Sequence, residues 1–552
     1  MSERFSIHQR EKHLGNALSQ EIDLLVIGGG ITGAGIALDA QSRGLKTVLI
    51  EMQDFGAGTS GRSTKLVHGG LRYLKQFEVG LVAEVGKERA IVYENGPHVT
   101  TPEWMLLPVV KGGTFGMLSS SLGIWLYDHL AGVKKSERRQ MLNREETLQK
   151  EPLLRKEGLK GSGYYVEYRT DDARLTLEVL KKAVEFGVYA FNYMKAEELI
   201  HQDGKLAGVQ VVDQLNGKIY EMYAKKIVNA TGPWCDELRE KDGSKKGKTL
   251  HLTKGVHLVV DQSRFPLRQA VYFDTPDGRM VFAIPRDGKA YIGTTDTDFH
   301  DDLRTPHITV EDRDYLLRAA NYMFPSIHLT AKDVESSWAG VRPLIHEEGK
   351  SPSEISRKDE IFRSPSGLIT IAGGKLTGYR KMAEKTVGLV VKELYKEEGK
   401  CFKECCTDKI RISGGDVGGS KNWPAYCENM TRAGEKIGLS HQAANRLARL
   451  YGSNVEIVFS YIEAGKDIIK EYEFAPEVYG MLIYGMLQEL TATPADFFIR
   501  RTGSLLFNID WVHKWKEPVI RMMKNELHWS DAEEQNYRGQ LDRELKIATK
   551  AF

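Results

Sequence analysis

The chain has 552 residues, enough for two or three domains, and its 41% hydrophobic and 28% charged residues are ordinary for a globular protein. This composition excludes an intrinsically disordered protein. The formal net charge of +2 is too small to indicate nucleic-acid binding, so we expect no nucleic-acid partner.

Two further properties bear on location. Residues 1–20 are polar and charged, and no run of 18 uncharged apolar residues occurs, so we expect a protein that is neither secreted nor membrane-spanning. The five cysteines are odd in number and lack paired metal-ligand spacing. They fit a reducing compartment, which predicts a cytoplasmic protein without a metal site.

A dinucleotide-binding β-α-β unit is predicted at residues 24–51. An apolar strand runs into a turn whose glycines allow a tight bend, close backbone approach to a pyrophosphate and close helix packing: Gly28, Gly30 and Gly33. Glu51 ends the second strand, where a carboxylate can bind ribose hydroxyls. Because Glu51 would repel a 2′-phosphate, the unit predicts FAD or NAD rather than NADP.

Three later segments favour FAD over NAD. Residues 59–73 are rich in glycine and small hydroxyl side chains, which can surround a second phosphate and approach a flat ring. A strand beginning at residue 226 ends in Ala230, Thr231 and Gly232, which leave room for an adenosine. Residues 368–380 form a strand, a Gly-Gly turn and a helix start, whose amides suit the electron-rich edge of a reduced flavin.

Six strings in the chain resemble those of the FAD-dependent glycerol-3-phosphate dehydrogenases. They lie at residues 28–35, 65–73, 229–234, 292–296, 340–343 and 373–377, and the similarity extends over nearly the whole chain. The resemblance implies an α/β fold of the glycine oxidase and D-amino-acid oxidase group, with a Rossmann-like FAD-binding domain and an antiparallel β substrate domain. It also implies oxidation of sn-glycerol 3-phosphate to dihydroxyacetone phosphate.

The resemblance and the residue pattern together divide the chain. We predict a discontinuous FAD-binding domain at 20–100, 160–244 and 351–400, and a substrate-binding domain at 101–159 and 245–350. Short β-branched and aromatic runs at 256–260, 280–285 and 290–294, with Asp-Gly turns between them, predict an antiparallel sheet in the latter. Helical periodicity after residue 410 predicts an all-α C-terminal domain at 410–552.

The same strings supply the site residues. We predict contacts to FAD from Gly28, Gly30, Gly33, Glu51, Thr59, Ser60, Ser63, Lys65, His68, Gly69, Gly70, Thr231, Gly232, Gly373, Gly374, Lys375, Leu376 and Thr377. A phosphate dianion needs fixed cationic donors. Among the basic side chains of these strings, we assign Arg342 and Lys375 to the oxygens of the substrate and place Arg72 beside the reacting hydroxyl, all three as catalytic and substrate-binding residues. His257 is predicted as the acceptor of the hydroxyl proton, against the alternative of a hydrogen-bonded core histidine. Tyr73 and Arg357 are further predicted substrate contacts.

The electron acceptor is a separate question. Because no second dinucleotide unit follows the first, we predict electron transfer to a membrane quinone from a protein attached peripherally to the cytoplasmic membrane. A segment at 115–133 has apolar residues near helical spacing, and Lys134, Lys135, Arg138 and Arg139 follow it, which is typical of a membrane contact or of a core helix. The alternatives are an oxidase that uses oxygen and a non-catalytic FAD-binding redox module. Homo-oligomerisation is left open.

Overall fold

The computed structural model describes residues 5–68, 79–113, 139–347 and 358–552. None of the helices in these ranges combines the length and hydrophobicity that a membrane crossing requires. In chain order the strands are β1 Leu24–Ile27, β2 Thr47–Ile50, β3 Leu66–Val67, β4 Thr100–Val110, β5 Gln140–Asn143, β6 Leu159–Thr170, β7 Tyr189–Phe191, β8 Met194–Gln202, β9 Lys205–Asp213, β10 Ile219–Tyr223, β11 Lys226–Asn229, β12 Lys248–Asp261, β13 Ala270–Asp274, β14 Met280–Arg286, β15 Lys289–Gly293, β16 Thr297–Asp298, β17 Val334–Glu347, β18 Asp359–Arg363 and β19 Ile369–Gly373.

A parallel sheet forms the centre of the part predicted to bind FAD (20–100, 160–244 and 351–400), which is called the cofactor-binding part below. Its order is β18-β19-β11-β1-β2-β7, and only β18 runs antiparallel to its neighbour among the described strands. Every residue of β1 and β2 is buried, as expected for strands covered on both faces. The helix Ile31–Arg43 connects these two strands and ends at Gly44. The predicted β-α-β unit is therefore confirmed.

A second, larger sheet is mostly antiparallel. Its order is β16-β12-β15-β14-β13-β4-β6-β3, with β17 paired to β12 and β5 to β6, and β4 runs parallel to β13. Asp287 and Gly288, both with positive φ, join β14 to β15 in a two-residue hairpin, as the Asp-Gly signal predicts. A small antiparallel sheet of β8, β9 and β10 lies in the cofactor-binding part.

One predicted boundary differs from the hydrogen bonding. Residues 160–170, assigned to the cofactor-binding domain on sequence, form most of β6, which pairs with β4 in the larger sheet along nearly its whole length. The strand β3, also assigned to that domain, pairs with the end of β6. By strand pairing, the chain passes from the larger sheet to the cofactor-binding part near residue 171. The rest of the predicted domain division stays a prediction.

Helices cover the sheets and build the C-terminal part. Before residue 400 they are Arg10–Leu18, Ile31–Arg43, Val79–Asn95, Arg144–Lys150, Asp172–Phe186, Cys235–Lys241, Val310–Met323 and Tyr379–Glu398. After it they are Trp423–Lys436, His441–Tyr451, Val455–Ala464, Lys466–Glu471, Pro476–Gln488, Ser504–Phe507, Ile509–Leu527 and Asp531–Thr549, with a turn of π-helix at Asp496–Arg501. The predicted C-terminal helical domain is confirmed.

Candidate active site

A cavity of about 640 Å³ lies where the carboxyl ends of the parallel strands meet the larger sheet. Most of the described residues that were predicted for the site line it. They are Gly28, Gly30, Glu51, Thr59, Ser60, Ser63, His68, Thr231, Gly232, His257, Arg342, Gly373, Gly374, Lys375, Leu376 and Thr377. The structure thus brings residues more than 300 positions apart in the chain to one enclosed space.

The turn after β1 depends on two glycines for different reasons. Gly28 has φ +116°, and a Cβ there would lie 2.5 Å from the carbonyl oxygen of Ala230. Gly33 does not line the cavity; a Cβ on it would lie 1.8 Å from the carbonyl oxygen of Gly28, so it allows the helix to pack on the turn. Gly33 was predicted as a cofactor contact, but its place behind the cavity wall gives it the role of shaping the turn.

Glu51 is held at the end of β2 by two backbone donors. Its carboxylate accepts hydrogen bonds from Gly29 N at 2.7 Å and Gln53 N at 2.8 Å. Burial raises the pKa of Glu51. The side chain is consequently fixed in the cavity wall beside the glycine turn, where the ribose of a dinucleotide binds in this fold.

Residues 59–68, called the hydroxyl-rich segment below, form a second wall of the cavity. Ser60 Oγ accepts from Ile31 N at 2.9 Å, at the first turn of the helix after the glycines. Thr59 Oγ1 donates to Val341 O at 2.6 Å, which ties the segment to β17. Lys65 does not line the cavity: its Nζ donates to Asp172 Oδ1 at 2.6 Å in a buried pair, so Lys65 supports the segment from behind.

The turn after β19 forms the third wall. Gly373 and Gly374 have φ of +72° and +79°, and Cβ atoms there would meet Lys358 O at 2.4 Å and Met382 Sδ at 2.6 Å. Thr377 Oγ1 donates to His68 O at 3.1 Å and joins this turn to the hydroxyl-rich segment. The helix Tyr379–Glu398 follows this turn, and Met382 in its first turn lines the cavity.

These walls fit FAD. The glycine turn and the helix that follows it offer a concave backbone to a pyrophosphate, and a Cβ on Gly30 would approach Ser60 Oγ to 3.0 Å. Glu51 lies at the end of β2, and small residues at Thr231 and Gly232 leave space beyond it. The cavity then continues to the larger sheet, where the side chains of Arg342 and His257 lie.

Arg342 is a preorganised cation on β17. Its Nη1 donates to Thr295 O and to Asp296 Oδ1, both at 3.1 Å, and its Nη2 donates to Thr294 Oγ1 at 2.8 Å. The guanidinium lies in space that Gly255 of β12 leaves open, since a Cβ on that glycine would be 2.2 Å from Nη2. Asp296 is 39% exposed, so it neutralises the guanidinium only weakly.

His257 lies on β12 and is 1% exposed. Its Nε2 is 3.0 Å from Thr64 Oγ1, and its ring stacks on the indole of Trp338. Burial, followed by the charges of Arg342 and Lys65, holds the pKa of His257 well below its usual value. The imidazole is therefore neutral near pH 7, in the state that accepts a proton.

Some predicted residues fall outside the described ranges. They are Gly69, Gly70, Arg72, Tyr73, Arg357, Lys134, Lys135 and Arg138. Within the described ranges there is no group of His, Cys, Asp or Glu side chains placed to hold a metal ion. The cavity places a cationic side chain, Arg342, and a basic one, His257, beside the walls that suit a dinucleotide.

Several lining residues were missed on sequence. Thr294, Thr295 and Asp296 fix Arg342, although their string was noticed only as part of the resemblance. Thr64, beside His257, lies within residues 59–73, which were noted for glycine and hydroxyl side chains, but it was given no role. Thr294, Thr295 and Asp296 lie in the string at 292–296, which carries no predicted site residue, whereas Thr64 lies between Ser63 and Lys65, which were both predicted.

Comparisons with known proteins give a consistent result. The family described as FAD dependent oxidoreductase matches residues 23–379, and the family described as C-terminal domain of alpha-glycerophosphate oxidase matches residues 405–534. The aerobic glycerol-3-phosphate dehydrogenase of Bacillus subtilis (strain 168) is 61% identical over 548 residues, 99% of each chain. That of Staphylococcus aureus (strain USA300) is 57% identical over 546 residues, 98% of each chain.

Two solved structures are also similar. The glycerol-3-phosphate dehydrogenase from Bacillus halodurans complexed with FAD has 55% identity and a TM-score of 0.87 over 99% of each chain. The L-alpha-glycerophosphate oxidase from Mycoplasma pneumoniae with FAD bound has 19% identity and a TM-score of 0.55, and the match covers 70% of this chain and 96% of that one. The second likeness concerns the fold alone.

Proposed function

The chain belongs to the aerobic glycerol-3-phosphate dehydrogenases within the FAD-dependent oxidoreductase family, and we propose that it oxidises sn-glycerol 3-phosphate to dihydroxyacetone phosphate and delivers the electrons to a membrane quinone. The family and the cofactor are those predicted from the sequence. When bound, FAD supplies the acceptor for the hydride that leaves carbon 2 of the substrate. The observation that carries the proposal is the meeting of the dinucleotide turn with Arg342 and His257 in one cavity.

Arg342 is proposed to bind the phosphate of the substrate. A phosphate dianion is best recognised by a guanidinium whose donors are fixed in advance, and the contacts to Thr294, Thr295 and Asp296 provide this. Lys375 lines the same cavity and is proposed to contribute a second positive charge to the substrate oxygens. Arg72, Tyr73 and Arg357 keep their predicted roles as proposals.

His257 is proposed to accept the hydroxyl proton at Nε2. The nitrogen lies beside Thr64, which also lines the cavity, and the depressed pKa keeps the ring in its basic form. Removing the hydroxyl proton makes the alkoxide form a better hydride donor, so the position of this base decides the rate of the chemical step. Trp338 holds the ring plane by stacking.

Anaerobic mixing tests the substrate and the reaction class. The flavin absorbance should bleach with sn-glycerol 3-phosphate and stay unchanged with glycerol, glycine or sarcosine, because only the first carries the phosphate that Arg342 binds. Bleaching by glycine or sarcosine would instead indicate an amine oxidase, and no bleaching with any of them would favour a non-catalytic FAD-binding module.

The quinone acceptor and peripheral attachment to the cytoplasmic membrane are proposed from the absence of a second dinucleotide unit in the sequence. Replacing Lys134, Lys135, Arg138 and Arg139 by Gln should lower liposome binding and quinone reduction at low salt, and should spare turnover with a soluble dye. Equal losses with dye and quinone would contradict a docking role for this segment.

Oxygen is the second candidate acceptor, because the family that matches residues 405–534 is named after an oxidase. The two acceptors are separated by measuring hydrogen peroxide in air-saturated buffer, with and without a soluble quinone analogue. A quinone-linked enzyme should form peroxide far more slowly than it reduces the quinone, whereas an oxidase should turn over at the same rate without quinone.

A further inference from the structure

No described residue of the C-terminal helical part lines the cavity. Every described residue that lines the cavity precedes residue 383. Nevertheless, the π-helical turn Asp496–Arg501 is bound to the cofactor-binding part by buried ion pairs of Arg500 and Arg501 with Asp54. Single turns of π-helix are rare and frequently occur where function requires a particular side-chain arrangement.

Asp54 is the centre of this contact. Its Oδ2 accepts from Arg500 Nε at 2.5 Å and from Arg501 Nη1 at 2.7 Å. Its Oδ1 accepts from Arg501 Nη2 at 2.9 Å and from Asn192 Nδ2 at 3.0 Å. The carboxylate is 1% exposed and receives four donors, so it is both charged and geometrically fixed.

The position of Asp54 connects this contact to the cofactor. Glu51 and Met52 before it, and Gly56, Ala57 and Gly58 after it, line the cavity. Gly56 N also donates to Gly29 O in the glycine turn. A shift of Asp54 therefore displaces the loop that carries the ribose-binding carboxylate and the backbone facing the glycine turn.

A second cavity segment is held by the same turn. Tyr193 OH donates to Asp496 Oδ1 at 2.7 Å, and Arg500 Nη2 donates to that same oxygen at 2.7 Å. Met194, Lys195 and Ala196, which follow Tyr193 directly, line the cavity. Two separate walls of the cofactor site are thus anchored on one turn of the C-terminal part.

We propose that the turn Asp496–Arg501 is a positioning element for FAD, and that Asp54, Arg500, Arg501 and Tyr193 are positioning residues that hold the two cavity walls at the spacing the dinucleotide requires. A buried charge that loses its partner is strongly unfavourable, so the loop at 51–58 moves when the pair is broken. The proposal concerns the cofactor site alone and does not depend on which substrate or acceptor the enzyme uses.

The test compares two buried charges at the same contact between the two parts. Lys181, in the helix Asp172–Phe186, donates to Tyr484 OH at 2.7 Å and to Glu489 Oε1 at 3.1 Å, but no residue of its helix lines the cavity. The FAD dissociation constant of the full chain is measured from flavin fluorescence at a temperature where each variant is folded. Asp54→Asn should raise it at least about tenfold, whereas Lys181→Met, although it lowers Tm, should leave it within about twofold.

Two outcomes of this comparison would overturn the proposal: an unchanged dissociation constant in Asp54→Asn, or an equal loss in Lys181→Met. If Asp54→Asn does not fold, Tyr193→Phe removes a single hydroxyl and should weaken FAD binding about two- to fivefold; wild-type affinity would again overturn the proposal. Because coupling between sites is reciprocal, FAD should also slow hydrogen exchange of the amides at 496–501. Unaltered exchange in that turn would count against it.

Discussion

The imidazole of His257 lies almost parallel to the indole of Trp338, with ring centroids 4.6 Å apart and an interplanar angle of 11°. The two residues face each other across β12 and β17. Trp338 Nε1 donates in turn to Ser63 O at 3.1 Å, so the stack is anchored to the hydroxyl-rich segment. The stack fixes the ring, and the burial to which it contributes is the first cause of the depressed pKa of His257.

The first prediction concerns the pH dependence of turnover. Burial, Arg342 and Lys65 depress the pKa of His257, and the proposed role as proton acceptor requires the neutral ring. Hence kcat/KM should stay level as the pH falls from 8 to 6.5 and should decline only below that range. An acid limb at or above pH 6.5 would contradict the assignment.

The matching variant is His257→Asn, which should lower kcat by about 10²- to 10⁴-fold with FAD still bound. His251 lies on the same strand but is partly exposed and pairs with Asp298, so His251→Asn is the control and should keep the wild-type rate. Equal losses in the two variants would indicate a structural effect on β12.

The second prediction concerns Arg342. Replacing it by Ala should raise KM for sn-glycerol 3-phosphate about 100-fold, since a charged hydrogen bond contributes up to about 3 kcal/mol. The flavin absorbance should remain, because the cofactor is held by other walls of the cavity. Arg264→Ala, which removes an exposed arginine paired with Asp333, should leave KM unchanged. Wild-type KM in Arg342→Ala would remove this residue from the site.

The third prediction concerns stability in acid. Burial, Arg174 and Lys181 hold the pKa of His98 well below its usual value. Below about pH 6.5 the unfolded chain therefore binds a proton that the folded chain does not, and His98 lowers the free energy of unfolding by up to about 1.4 kcal/mol per pH unit.

His98→Gln removes that titration. The stability difference between wild type and variant, measured by urea unfolding between pH 7 and 5, should consequently shrink as the pH falls. A difference that stays constant or grows would show that His98 is protonated in the folded chain.

The sequence predicts local structure well where neighbouring residues determine it. Gly28, Gly33 and Glu51 occur in one β-α-β unit, and the Asp287-Gly288 hairpin depends on two adjacent residues, so both follow from short-range patterns. The resemblance located Arg342 and His257, which line the cavity as expected.

Other features depend on contacts between distant parts of the chain. The pairing of Asp54 with Arg501 joins residues 447 positions apart, and the sequence around either residue does not predict the other as its partner. Lys65 was predicted from its string as a cofactor contact, yet Asp172 binds it outside the cavity, and only the register of β3 on β6 explains why. The predicted boundary at residue 160 differs from the pairing of β6 with β4 for the same reason, since strand pairing is not visible in the pattern of one strand.

The last prediction concerns two glycines, one beside the side chain of Arg342 and one beside that of His257. Gly255 and Gly293 belong to β12 and β15, and neither has a positive φ, so the backbone at both positions accepts alanine. A Cβ on Gly255 would lie 2.2 Å from Arg342 Nη2, and a Cβ on Gly293 would lie 2.1 Å from His257 Cδ2.

The two substitutions should separate binding from chemistry. A Cβ on Gly255 would also lie 2.5 Å from Thr294 Oγ1, so Gly255→Ala should break the hydrogen bond that fixes the guanidinium, lower stability modestly and raise KM with little change in kcat. The imidazole is confined by Trp338, so Gly293→Ala should lower kcat and reduce stability by about 1–3 kcal/mol through overpacking. Gly378→Ala is the control, because a Cβ there meets nothing within 4 Å. If Gly255→Ala lowered kcat alone, or Gly293→Ala raised KM alone, the roles assigned to Arg342 and His257 would have to be exchanged.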